Sequence, residues 1–210
     1  MWFDALQNGG IVIFSTSSLI SMSRGQSVEC SAMAKKRRVN LRVEAQRAGA
    51  KSATDFLLFE HLHEQRKAMR AESRKDGTDD VARNTARIYD IVLKYGCFFD
   101  PSPRPKKYKP GDRHQCYGNS LDLVIADEEL SYWEGYVAVK GVPIPMEHAW
   151  CVTDEASVVD VTLRKPLIPL AYFGVEFNAL FVATRDLPAI ESVLIENAEP
   201  AIWRPFPSTG

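Results

Sequence analysis

Apolar residues recur at helical spacing in the first half of the chain and alternate with polar ones in much of the second. Between 39 and 74, Phe56, Phe59 and Leu62, joined by Leu58 and Met69, fall on one face of a helix. Gly49 predicts a break between two helices, and Ser52-Ala53-Thr54-Asp55 offers a cap for the second. Asp76 to Asp80 reads as a turn with Thr78 or Asp79 as N-cap. Val81, Ile88, Ile91, Val92 and Tyr95 then predict an amphipathic helix that Gly96 stops. Leu121, Val124 and Ile125 predict a short helix from Cys116 to about Glu128.

From there the period changes. Tyr132 to Val139, Glu147 to Val152, Ser157 to Val161 and Tyr172 to Phe177 are rich in β-branched and aromatic residues and predict strands. Lys140-Gly141-Val142-Pro143 is a turn, and Thr153-Asp154-Glu155-Ala156 joins the middle two strands as a hairpin. A last helix, holding Ile190, Val193 and Leu194, follows Asp186-Leu187-Pro188 within 179–198. The class is therefore α+β: helices first, then a mostly antiparallel sheet packed on the helix that carries Cys116. Five stretches follow: an N-terminal extension over 1–33, disordered or outside the natural start; a helical arm over 34–99; a proline-rich basic connector over 100–113; a catalytic domain over 114–199; and a tail over 200–210.

Composition narrows the classes. The chain has 210 residues, 45% of them hydrophobic and 25% charged, enough for a full core in one domain. A formal net charge of -1 argues against a molecule built as a whole for nucleic acid or membranes. Basic residues nevertheless crowd 35–75 and 104–113, where an acidic partner would bind, although a solvated face is the usual explanation for those on the helices and a plain spacer for the connector. Four cysteines without a CxxC pair imply free thiols in a reducing cytosol. No apolar run reaches membrane-spanning length, and residues 1–33 lack a basic leader; the small residues Cys30-Ser31-Ala32 are the one hint of export. A cytoplasmic location is the expectation.

The chemistry centres on Arg113-His114-Gln115-Cys116-Tyr117-Gly118-Asn119-Ser120, Glu147-His148-Ala149-Trp150 and Val158-Val159-Asp160. A Cys at a helix start, a His in one strand and an Asp in the next suit a thiol nucleophile, its general base and the orienting carboxylate. In the first turn of its helix Cys116 meets unpaired N–H groups and the positive end of the dipole, which favour a thiolate. Its N–H points toward a developing oxyanion, with Gln115 as the second donor and Asn119 as a weaker one. A hairpin loop of three or five residues centred on Asp154 places Asp160 opposite His148, with Cβ atoms about 4.5–5.5 Å apart. Asp160 would then hold Nδ1–H and leave Nε2 aimed at Cys116; the register tests this.

Glu134 and Tyr136 share a strand face with Tyr132 and are candidate substrate contacts, as are Asn119 and Trp150; Trp150, on the His148 face, would also shield the His–Asp pair. Each has a plain structural reading as well. His114 is a substitute base. Zinc has four ligand types in His114-x-Cys116 and His148-x-x-Cys151, but His148 and Cys151 fall on opposite faces of a strand, so no metal site is expected. His61 and His63, two apart on a helix, lie about 200° apart and cannot share an ion. No cofactor is called for.

The order Cys, His on a strand, Asp on the next resembles the papain-like fold in its wide sense, which includes transglutaminase-like enzymes and cell-wall cysteine endopeptidases. Cys116-Tyr117-Gly118-Asn119-Ser120, Glu134-Gly135-Tyr136, Glu147-His148-Ala149-Trp150, Val159-Asp160-Val161-Thr162-Leu163 and Tyr172-Phe173-Gly174-Val175 also resemble a family of small uncharacterised phage and bacterial proteins, over about 110–178. The resemblance implies Cys116 as nucleophile, His148 as base and Asp160 as orienter. The expected function is a thiol hydrolase or acyltransferase on a peptide, protein or other amide-containing substrate. The alternative is a catalytically silent papain-like binding module whose basic arm contacts nucleic acid or an acidic partner.

Overall fold

The computed structural model describes residues 40–76, 80–184 and 188–196. The expected N-terminal extension, the cap at Thr78 or Asp79 and the tail over 200–210 lie outside these residues.

The first helix, α1, runs over 40–47 and ends at Gly49, whose φ of 92° needs a residue without a Cβ. The next, α2 (Ala53–Asp76), is closed at its start by a reciprocal box. Asp55 Oδ2 accepts the N–H groups of Lys51 and Ser52, both at 2.8 Å, and Ser52 Oγ accepts Asp55 N–H at 3.1 Å. These bonds explain how Asp55 is tolerated in a buried position. Helix α3 (Asp80–Tyr95) ends at Gly96, where a Cβ would lie 2.4 Å from Val92 O.

Five strands follow: β1 (Cys97–Phe99), β2 (Leu130–Val139), β3 (Met146–Thr153), β4 (Val158–Val159) and β5 (Pro169–Phe177), with α4 (Cys116–Ala126) between β1 and β2. They form one antiparallel sheet in the order β1-β5-β2-β3-β4. Two short helices, α5 (Ala179–Ala183) and α6 (Ala189–Glu196), stand where one was expected. The α+β class and the helices-then-sheet order hold. Among the described residues no helix is long and apolar enough to cross a membrane.

Alternation divides the sheet into two faces. Tyr132, Tyr136, Cys151, Phe173, Val175 and Phe177 point to the helices and pack with Leu58, Phe59, Leu62 and Val92. The Phe173 ring is 5.5 Å from Phe59 and 4.3 Å from Phe98, centroid to centroid. Burying each such ring contributes on the order of 2–3 kcal/mol. Residues 40–95 therefore pack into the core on one face of the sheet rather than standing apart as a separate arm, and all described residues fall within one compact unit. The apolar stripe of an amphipathic helix shows that it needs a partner, not which one. The other sheet face carries Phe99, Trp133, Val137, Trp150, Val152, Val158 and Tyr172.

Three further expectations change. Val81 is 55% exposed and lies off the buried stripe of α3. The strand expected over 157–161 contracts to Val158–Val159, because the chain turns away at Asp160. The connector over 100–113 is pinned rather than a loose spacer: Tyr108 is buried with its hydroxyl donating to Asp127 Oδ2 at 2.8 Å, Gly111 N–H donates to Val161 O at 2.9 Å, and Ser102 Oγ donates to Val158 O.

Candidate active site

Cys116 is the first residue of α4, half-buried at a helix start. Gln115 is the N-cap and exposed; its side chain makes no capping bond. The N–H groups of the first turn consequently lack a side-chain cap. His114, immediately before, holds φ at 61°, the left-handed region that costs a non-glycine residue energy. It too is exposed.

The helix is seated by side chains along its length. Cys151 Sγ on β3 donates to Ser120 O at 3.2 Å. Asn119 is the tie between three segments. Its Nδ2 donates to Asp112 O at 2.6 Å and to Thr162 Oγ1 at 2.8 Å, while its Oδ1 accepts Asp112 N–H at 2.9 Å. A Cβ at Gly111 would sit 2.4 Å from Asn119 Cγ, so this crossing needs glycine. Arg164 closes it from the far side by donating to Gly111 O. With its amide spent inside the fold, Asn119 ties the Cys116 helix to the 160–164 loop.

His148 is 3% exposed, and its Nε2 lies 2.8 Å from Asp160 Oδ2. The Cys116 thiol is within hydrogen-bonding reach of the same ring, which leaves Nδ1 for it. The nitrogen roles are thus the reverse of those expected. The register differs as well. Cys151 pairs with Val159 and Val152 with Val158, which brings Asp160 into line with Trp150, two residues beyond His148. The face is the same, so the carboxylate reaches His148 diagonally. Because β4 covers only Cys151 and Val152, β3 has an open edge at His148, and the start of α4 meets it there.

Asp160 is held on every side. Its Oδ1 accepts the N–H groups of Thr162 and Leu163 at 2.8 and 2.9 Å, and Oδ2 also accepts the Tyr172 hydroxyl at 2.8 Å. Burial opposes its charge, but His148 and the two amides outweigh this and hold its carboxyl below the usual range. Burial alone would lower His148; the bonds to Asp160 and Cys116 overcome it and push the ring up to about 9. Burial and the Asp160 charge raise Tyr172, so its hydroxyl remains a donor.

Tyr172 is the site residue that the sequence did not disclose. It reaches Asp160 because β5 pairs with β2 and β2 with β3, which places Tyr172, Val137 and Met146 side by side. No local pattern encodes that alignment.

Trp150 is fully buried among the apolar side chains of this face, and its ring lies nearly parallel to that of His148, at 17° with centroids 6.4 Å apart. Room for the indole comes from Gly174, where a Cβ would lie 2.5 Å from Trp150 Cη2. Glu134 is buried on the helix face of β2. It accepts Ala189 N–H at 2.8 Å, Ile190 N–H at 3.0 Å and the Tyr132 hydroxyl at 2.8 Å, so it caps α6. Tyr136 is buried, stacks on Tyr89 at 5.5 Å and directs its hydroxyl to Glu147 Oε1 at 3.4 Å.

His63 is buried between Arg66 and Glu44. Among the described residues no three His, Cys, Asp or Glu side chains gather as a metal cage. Cys97 and Cys151 lie away from this constellation, and burial pushes the Cys97 thiol up and that of Cys151 to about 12. Several basic side chains of the helical region face acids: Arg66 and Arg70 meet Asp90, Lys67 meets Glu64, and Lys75 meets Glu72. No family model, curated protein or solved structure matches the chain.

Proposed function

We propose that the protein is a thiol-dependent hydrolase or acyltransferase of papain-like arrangement, acting on an amide or ester carbonyl. Cys116 is the nucleophile, His148 the proton carrier and Asp160 the orienting carboxylate. The observation that carries this reading is the buried imidazole of His148, bonded through one nitrogen to an immobilised carboxylate and within reach of a helix-start thiol. Acyl transfer to sulfur uses the thiol and the imidazole together, and a carboxylate on the far nitrogen orients the ring and stabilises its charged form.

In the proposed reaction the Cys116 proton passes to Nδ1, while Asp160 holds Nε2–H and stabilises the imidazolium. The sulfur forms a bond to the carbonyl carbon, and the carbonyl π pair moves to oxygen. That oxygen faces the Cys116 N–H, with Gln115, exposed and free of capping duty, as the second donor. Collapse restores the carbonyl and expels an amine or alkoxide, which leaves with the Nδ1 proton. Water or an amine, deprotonated by Nδ1, then attacks the thioester and releases Cys116.

Labelling by a neutral thiol-directed electrophile at neutral pH tests the reading. Cys116 should react about tenfold or more ahead of the other cysteines, and Cys116→Ala should remove the fast phase. Equal labelling of all cysteines would overturn the proposal.

A further inference from the structure

The three groups of the site belong to three different elements: the Cys116 sulfur to α4, the His148 ring to β3, and the Asp160 carboxylate to the loop that leaves β4 at Val159. Each has to be held relative to the others by something besides the reacting atoms. For α4 and β3 this is the Cys151 thiol, which donates to Ser120 O. Asp160 is less well tethered, because the ladder to β3 ends one residue before it. The amides of Thr162 and Leu163 belong to its own loop and move with it. The Tyr172 hydroxyl fixes it to β5. None of these bonds relates the carboxylate to the helix that carries the sulfur.

Asn119 supplies that relation. It lies three residues beyond Cys116 in α4, and its Nδ2 donates to Thr162 Oγ1 at 2.8 Å. Thr162 thus serves both sides: its backbone N–H donates to Asp160 Oδ1, and its hydroxyl receives the helix. The contacts close a ring that runs Cys116, His148, Asp160, Thr162, Asn119 and back along one turn of α4. The Asn119 amide cannot turn within it. Both hydrogens of Nδ2 are spent, on Thr162 and on Asp112 O at 2.6 Å, and Oδ1 takes the Asp112 N–H. Exchanging oxygen and nitrogen would set oxygen against Asp112 O and N–H against N–H. The bare Gly111 backbone lies against the amide and confines it further.

We propose that Asn119 and Thr162 are positioning residues for the reactivity of Cys116. Their bond fixes α4 against the Asp160 loop, so that the carboxylate orients His148 and the ring meets the sulfur in one geometry. Neither side chain hydrogen-bonds Cys116 or His148; both act through the elements they join. The inference rests on the nucleophile reading above and adds the device that keeps its parts in register.

Alkylation of the whole protein by iodoacetamide, followed at each cysteine by mass spectrometry, tests this. Thr162→Val keeps the shape and the backbone amide and removes only the hydroxyl. It should slow Cys116 roughly three- to tenfold and leave Cys97 unchanged, and Thr162→Ser should keep the native rate. Asn119→Ala should slow Cys116 at least as much. Adding Thr162→Val to it should change nothing further, since the bond is already gone. The titration midpoint of the His148 ring, followed by NMR, should fall in Thr162→Val and stay in Thr162→Ser, because a displaced Asp160 supports the imidazolium less.

A native Cys116 rate in Thr162→Val overturns the proposal, as do additive losses in the double variant. A slower Cys116 with faster Cys97 alkylation and an unmoved His148 midpoint overturns it too, since that pattern is a loosened fold rather than a displaced carboxylate. The two readings fail separately. Native protein in which Cys116 reacts no faster than Cys97 removes the nucleophile and this proposal with it. Fast native labelling that Thr162→Val leaves intact removes only the positioning role.

Discussion

Two buried carboxylates lie on opposite faces of the same sheet and behave in opposite ways. Glu134, on the helix side, receives two amide N–H groups and a tyrosine hydroxyl. Asp160, on the other side, also receives two amide N–H groups and a tyrosine hydroxyl, and in addition contacts His148. Burial pushes Glu134 up to about 7 despite its three donors, whereas Asp160 is held below its ordinary value. The donor sets are nearly equivalent, so the cation decides. Neutral donors make a buried carboxylate tolerable; an adjacent imidazolium makes its charge favourable. One arrangement secures a helix, and the other prepares a histidine.

The sharpest way to break this comparison is to remove the charge and keep the shape. Asp160→Asn should slow labelling of Cys116 about 10²-fold or more, because His148 loses the group that orients it and stabilises its charged form. Single-turnover labelling across pH measures this; an unchanged rate would show that the pair does not act on sulfur.

A smaller effect is expected from Glu134→Gln, read as stability against pH. Folded Glu134 sits near 7 and its ordinary value is 4.5, so its contribution is fully present below 4.5 and lost as pH rises through 7. Folded His148 sits near 9 against 6.5, so its contribution is present below 6.5 and lost as pH rises through 9. Asp160 acts in the other sense: its contribution is present above 3.8 and lost as pH falls through its lowered folded value. Urea midpoints of the native protein should therefore decline in two steps above about pH 5. The Glu134→Gln variant should lack the lower step and keep the upper one. Persistence of the lower step would assign it to another group.

The smallest effect is that of Tyr172→Phe. Loss of one hydrogen bond to a carboxylate should cost about 1–2 kcal/mol in denaturant unfolding. The same change should raise Asp160 and so lower the upper limb of the pH–labelling profile. A stability loss with no movement of that limb would make Tyr172 a packing residue.

Much of the site is visible in the sequence because its parts are local. The cap and stop residues around Ser52, Asp55 and Gly96 act within one turn of chain, and each stands where its residue type requires. Cys116 at a helix start and His148 in a strand follow from patterns of a few residues. Asp160 shows the boundary. The hairpin's loop parity puts it on the His148 face, but the register is displaced by two residues and the carboxylate arrives diagonally. Parity survives such a displacement, since side chains repeat every second residue. Strand β1, three residues long, is too short to display a period at all.

Asn119 and Glu134 mark the opposite limit. As polar residues near a candidate site they read as substrate contacts, yet both are consumed by partners 43 to 56 positions away. Tyr172 reaches its role through two successive strand pairings. By itself the sequence determined the longer helices, the order along the chain of strands β2 to β5, the alternation of faces within them and the chemical identity of the candidate nucleophile, base and orienting carboxylate. Only the tertiary structure decided which nitrogen of His148 meets which partner, that a tyrosine completes the Asp160 cage, and that the N-terminal helices pack into the core on one face of the sheet. The physical reason is that secondary structure follows from short-range sterics and periodicity, whereas these contacts require distant segments to be closed into one packing arrangement.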